Sequence, residues 1–419
     1  MKENTHHFSL KKSIFWLCYF LFLSNFQQIS AEQNSVIGFQ FKQNVKSVQI
    51  PIEIANNLIL MPIRIDNIIT INFILDTGSR ITMLTEPLLT DFMNLQNVRT
   101  TYVHGLGQGD RIAAQVATGI SMDFEGVVGH NISLLILPEG LLSFSEIFGK
   151  DVYGIIGYDI LKSFVVEINY QKKLLTLHKP NTYQPKRKSE SLNISIESGK
   201  PYLEAQVLEA NNSITKLHLL LDTGATQALS LFDPKTGNPP KTIDTYLGKG
   251  LGGDIYGKIG RLKGFAFGNF KFENIIATYP DTSSIQFEID ETKWEGNIGA
   301  EIFKRFLIAF DYQNDRVFLR KNSDFDNKFF YNIIGLQILG TGKNYKEIMV
   351  NHVRLGSPAD MQGLLIYDKI LKIGFTNTYN LTIGEVYEAL NRRVGKKVKL
   401  KIERNGKKIS KIIPILPEI

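Results

Sequence analysis

Two apolar runs along the chain stop on the same tripeptide. Ile71, Phe73, Ile74 and Leu75 lead into Asp76-Thr77-Gly78, and Leu217, Leu219, Leu220 and Leu221 lead into Asp222-Thr223-Gly224. Apolar runs closed by a turn sequence predict buried strands that end in tight turns. A second pair of segments lies downstream. Residues 153–179 (YGIIGYDILKSFVVEINYQKKLLTLHK) align with 295–321 (EGNIGAEIFKRFLIAFDYQNDRVFLRK) at a constant offset of 142. Identities include Gly154/Gly296, Ile156/Ile298, Gly157/Gly299, Phe164/Phe306 and Tyr170/Tyr312. Each copy predicts a strand running into glycine, a short helix, and a hairpin turning at Gln171-Lys172-Lys173 or Gln313-Asn314-Asp315. Between the landmarks each copy has a glycine-rich stretch, TYVHGLGQGD (101–110) or TYLGKGLGGD (245–254). Glycine clusters between strand-like runs predict mobile hairpin tips, here around Gly105, Gly107 and Gly109, and around Gly250, Gly252 and Gly253. The same landmarks recur in the same order, which marks a duplicated unit.

The pattern changes after residue 322. NSDFDNKF (322–329) is polar and reads as a linker. IIGLQI (333–338) is strand-like and broken by Gly335. Leu355-Gly356-Ser357-Pro358-Ala359 predicts a helix start, Gly363 its stop, and a strand follows Asp368. A helix is expected from Thr382 to before Gly395, and two strands around the Asn405-Gly406 turn close the segment.

Composition narrows the chemistry. Of 419 residues, 43% are apolar and 21% charged, as in ordinary core-forming protein. The N-terminus is basic (Lys2, Lys11, Lys12), then apolar over residues 13–23, then exits through Ile29, Ser30 and Ala31. That order predicts a secretory signal peptide over 1–31, with an uncleaved membrane anchor as the alternative, and hence an exported, periplasmic or extracellular protein. Cys18 is the sole cysteine and falls in the apolar block, which excludes disulfide scaffolds, thiol nucleophiles and cysteine zinc sites from the mature chain. The net charge of +7 is concentrated late: residues 322–419 hold sixteen Lys/Arg against nine Asp/Glu. With no nucleic-acid motif beside it, this excess reads as a solvated surface. The histidines lack metal spacing, no Gly-x-Ser-x-Gly elbow occurs, and the Gly248/Gly250/Gly253 pattern precedes no clear helix.

At the paired Asp-Thr-Gly motifs the chain resembles the aspartic peptidases, in particular the retropepsin-like group with both lobes on one polypeptide. The resemblance spans about residues 40–322. It implies two closed, mostly antiparallel β lobes (32–185 and 186–322) about a pseudo-twofold axis, with Asp76 and Asp222 meeting at the seam. It implies crosswise bonds from Thr77 and Thr223, close backbone approach at Gly78 and Gly224, support from Gly157 and Gly299, and flaps at the glycine-rich tips. Two carboxylates about 3 Å apart cannot both ionise, so they share a proton and can act as base and acid on water and a peptide carbonyl. Such chemistry requires no cofactor or metal. After the glycines the copies differ, Ser79 against Ala225. A Ser79 hydroxyl bonded to Asp76 would leave the charge on Asp76 and the proton on Asp222. Residues 330–419, after a linker at 323–329, resemble a PDZ domain through Ile334-Gly335-Leu336 in the place of the carboxylate-binding loop and the 355–368 segment, although Tyr367 stands where glycine is usual. This implies either capture of a C-terminal peptide or docking on the protease. The expected protein is a monomeric endopeptidase acting on extended peptides, with no nucleic-acid partner. The alternative is an inactive peptide-binding adaptor using the same cleft.

Overall fold

The computed structural model describes residues 37–416, apart from 94, 108, 110, 233–238, 240, 286–293 and 392–393. The expected signal segment, with Cys18, lies outside the described residues. The architecture is mostly β, in four sheets among the described residues.

The first lobe's sheet is built from hairpins whose buried positions alternate near the turn, at Ile63, Ile65 and Ile71, and become continuous away from it, over 58–61 and 73–75. Leu58–Ile65 pairs antiparallel with Ile69–Leu75 across a three-residue turn, Asp66-Asn67-Ile68. Asp66 and Asn67 have positive φ (46° and 57°), the geometry that matches strand twist in a tight hairpin. The second lobe repeats the plan with Lys200–Leu208 and Ile214–Asp222.

A third sheet of six strands takes members from both lobes. At its centre Val165–Asn169 lies antiparallel to Phe306–Asp311, with Val166 opposite Phe310, Glu167 opposite Ala309 and Ile168 opposite Ile308. Under the offset of 142, Glu167 and Ala309 are the same position of the repeat, so the register is centred on a twofold axis. The edges match too: Ser47–Pro51 closes one side and Glu190–Asn193 the other. The apolar core is continuous across this sheet, from Phe73 and Leu75 to Leu221 and Phe310.

The segment expected as a polar linker is packed down. Phe325 and Phe329 are buried against Phe270, Phe272 and Phe306. Arg305, 1% exposed, holds it: the guanidinium donates to the carbonyls of Asp324, Phe325 and Asn327, pairs with Glu301, and stacks 3.8 Å over Phe329. The sequence shows only the polar residues between the two rings, which is why it reads as loose.

The C-terminal sheet of six strands carries two helices, Pro358–Met361 and Ile383–Leu390, the second opened by a Thr382/Glu385 capping box. Its edge strand Leu336–Thr341 and helix Ile383–Leu390 border a groove. Helix Phe144–Phe148 of the first lobe packs on both. Gly149, at φ 67°, ends that helix between Gly340 and Ile383: a Cβ on Gly149 would stand 2.8 Å from Ile383 Cγ1, and one on Gly340 would stand 3.3 Å from the Gly149 Cα. The Tyr345 hydroxyl donates to Asp151 beside this contact.

Candidate active site

Strands Ile69–Leu75 and Ile214–Asp222 each end by delivering an acid to the lobe seam. Each is held by a short parallel partner, Gly154–Ile156 or Gly296–Gly299. The glycines that follow leave room for the loops. A Cβ on Gly157 would stand 1.9 Å from the Asp76 carbonyl oxygen, and one on Gly299 would stand 2.1 Å from that of Gln227. Both contacts are with backbone, so no side chain fits at either position.

The loops are tied crosswise by their threonines, which are fully buried. The Thr77 hydroxyl accepts from the Thr223 N–H (2.9 Å) and donates to the Leu221 carbonyl (2.5 Å). The Thr223 hydroxyl accepts from the Thr77 N–H (3.0 Å) and donates to the Leu75 carbonyl (2.8 Å). Four mutual bonds therefore fix the spacing of the two acids. A Cβ on Gly224 would come within 2.4 Å of the Asp76 Cγ, so glycine there lets the loops close to that distance.

Asp76 and Asp222 are half-buried and hydrogen-bond each other. Gly78 N–H donates to Asp76 Oδ1 at 2.7 Å, and Gly224 N–H to Asp222 Oδ1 at 2.9 Å. Burial raises the Asp76 carboxyl above the ordinary value, against the Gly78 and Ser79 N–H groups, the bond from Asp222 and the Lys200 charge. Asp222 is pushed well higher, by burial first and then by the charge on Asp76. Both acids are thus raised, Asp222 further than Asp76. The expected cause of this asymmetry is corrected: the Ser79 hydroxyl donates to the Ile81 carbonyl at 2.9 Å, because the loop turns it there and not toward Asp76. Ala225 serves through its carbonyl, which accepts from Ala300 N–H.

Three residues near the acids were not singled out from sequence. Asn297 Nδ2 donates to Asp222 Oδ2 at 2.7 Å. The repeat pair Tyr170 and Tyr312 lies buried within electrostatic reach of the dyad. Burial, then neighbouring negative charge, keeps both phenols protonated. Their signal was their identity across the repeat. For Asn297 it was one polar residue in a strand where the other copy has Ile155.

The glycine-rich tips meet. Gly252 N–H donates to the Leu106 carbonyl at 2.8 Å, and Gly109 N–H to the Gly252 carbonyl at 2.6 Å. Gly107 N–H reaches the Ser284 carbonyl at 2.9 Å. Glycine is required here: a Cβ on Gly107 would stand 2.1 Å from the Gly252 carbonyl carbon, one on Gly250 2.2 Å from the Leu106 oxygen, and one on Gly105 2.7 Å from the Leu251 Cβ. Gly253, at φ 103°, closes the second hairpin opposite Gly250. The leucines cross. Leu106 from the first lobe packs on Tyr202, Leu220, Phe232 and Trp294 of the second, and Leu251 from the second packs on Ala114, Val116, Leu135 and Leu142 of the first.

A family model described as aspartyl protease matches residues 61–160, which include the Asp76 loop and Gly157. A model described as PDZ domain matches residues 333–414. The chain carries an aspartyl-protease domain and a PDZ domain. No curated protein matches it. In the PDZ domain, Ile334 and Leu336 are buried in the core and the Gly335 N–H donates to Asn332 Oδ1 at 3.1 Å. One amide of the groove strand is also engaged internally, Ile338 N–H donating to the Tyr387 hydroxyl at 3.2 Å. The PDZ domain touches the second hairpin as well: Gln337 donates to the Tyr246 carbonyl at 3.1 Å, and His352 and Tyr246 lie ring to ring at 5.2 Å. Among the described residues no group of three or more His, Cys, Asp or Glu could hold a metal, and no helix is long and apolar enough to cross a membrane.

Proposed function

We propose that the protein is an aspartic endopeptidase. Charged Asp76 takes a proton from water while protonated Asp222 hydrogen-bonds the scissile carbonyl oxygen. The water oxygen bonds to the carbonyl carbon, the C–N bond breaks as the tetrahedral adduct collapses, and the proton taken up by Asp76 passes to the departing nitrogen. The observation that carries this reading is the crosswise threonine tie that holds two acids from opposite lobes in hydrogen-bonding contact. Extended peptides would lie under the crossed tips, their backbone pairing with strand edges. Cleavage of a peptide library across pH tests it, with Asp76→Asn and Asp222→Asn as controls. Each substitution should lower kcat/KM by about a hundredfold to ten-thousandfold. Binding of peptides without cleavage by the wild type would instead make the cleft that of an adaptor. The N-terminal segment supports export, which the N-terminal residue of the protein recovered from its native cell would test.

For the PDZ domain, docking on the protease is the reading that the contacts favour. Its groove holds Gly149, its loop amide is satisfied by Asn332, and Gln337 and His352 engage the second hairpin. In the full chain it acts as a clamp on lobe and tip before it acts on any free C-terminus.

A further inference from the structure

The repeat makes the two acid loops equivalent, yet the carboxyls have unequal partners. Each Oδ1 accepts from the glycine two residues on. Asp222 has a further donor at its other oxygen, Asn297 Nδ2 at 2.7 Å. In the first lobe the same place is filled by Ile155, which stands opposite Ile74 as Asn297 stands opposite Leu220. Isoleucine offers no donor. Asn297 also carries a cost to the fold. It is 3% exposed, and its Oδ1 is buried with no hydrogen-bond partner among the described residues, where the other copy shows that an apolar residue fits.

We infer that Asn297 is a positioning residue for the dyad: its amide fixes the plane of the Asp222 carboxyl, holds Oδ2 as an acceptor and confines the acid proton to Oδ1. The inference rests on the hydrolytic reading of the site. An amide N–H can only donate, so the oxygen it faces keeps a lone pair toward it. Both Oδ1 atoms face Gly78 at the seam, where a Cβ would lie 3.1 Å from that of Asp76 and 3.2 Å from that of Asp222. The proton is thereby held on the side where the acids meet. The other charged or titratable groups acting here are Asp76, Lys200, Tyr170 and Tyr312. Lys200 lowers both acids, and so does not distinguish them.

Asn297→Ile, which copies Ile155 into the second lobe, tests the inference. The amide stabilises ionised Asp222, so its loss should move the basic limb of the kcat/KM profile up by about one pH unit and lower kcat by about tenfold. The reciprocal Ile155→Asn should move the acidic limb down, by giving Asp76 the side-chain amide donor that it lacks. A folded Asn297→Ile protein whose profile superimposes on the wild type overturns the inference. So does a loss of rate with both limbs unmoved, which marks packing alone. Should Asn297→Ile fail to fold, Asn297→Ala removes the amide without adding bulk and is read in the same way. If the wild type cleaves no peptide, the hydrolytic reading fails by itself. The carbon-13 carboxyl titration of Asp222 then decides: a higher midpoint in the variant supports the positioning role, and an unmoved one overturns it.

Discussion

Asp222 is held in an environment that opposes its charge, and this makes the acid pair a liability to folding at neutral pH. Below the ordinary carboxylate range the acid is protonated whether the chain is folded or not, and nothing is lost. As pH rises toward the elevated folded value, the unfolded chain ionises freely and the folded one resists, so stability falls. Asp222→Asn should therefore melt higher than wild type at neutral pH, with the gap closing in acid; melting temperatures measured across pH would show it. The glycines behind the loops lie at the other extreme. Gly157→Ala drives a Cβ into the Asp76 carbonyl and should cost about 1–3 kcal/mol with loss of cleavage, read from chemical unfolding and peptide assay. Both acids and both glycines were legible because the motif recurs in the repeat. The Ser79 hydroxyl was misread, since residue type says that a donor exists but not where the loop turns it. Asn297 was visible as a letter in GNIG, yet only the fold brings it to Asp222 Oδ2.

At the scale of elements, glycine clusters announced two hairpin tips but could not say that they cross. Crossing depends on Leu106 and Leu251 finding clusters in opposite lobes, a tertiary fact with no local pattern. Leu106→Ala or Leu251→Ala removes part of that grip and should raise KM by about tenfold with a smaller change in kcat, measured by steady-state kinetics. Tyr367 is a second element-scale case. It sits at φ 71°, in the left-handed region, where the family pattern has glycine, and its side chain is 78% exposed. Behind it Asp368 is fully buried and paired with Arg404 at 2.6 Å, so the turn is fixed and tyrosine must accept the conformation. Tyr367→Gly should stabilise the protein by about 1 kcal/mol, measured by chemical unfolding.

For the whole molecule, the PDZ domain and the lobes are parts of one docked arrangement. The five-residue helix FSEIF (144–148) carries no periodicity that would reveal its place in a groove formed some two hundred residues later. Gly149→Val should loosen this dock, through both its left-handed backbone and its contact with Ile383. Faster hydrogen exchange at the Gly340 and Leu339 amides, by about tenfold, would report it. Helix Phe144–Phe148 also has a second face: Phe144 packs on the same Ala114–Leu142 cluster that receives Leu251 from the opposite tip. A C-terminal peptide entering the groove would therefore compete with a tethered rival at high effective concentration, and displacing that rival would unsettle the seat of a tip. Thermodynamic reciprocity then applies. Whatever factor a guest in the groove imposes on substrate affinity, substrate in the cleft must impose on the guest.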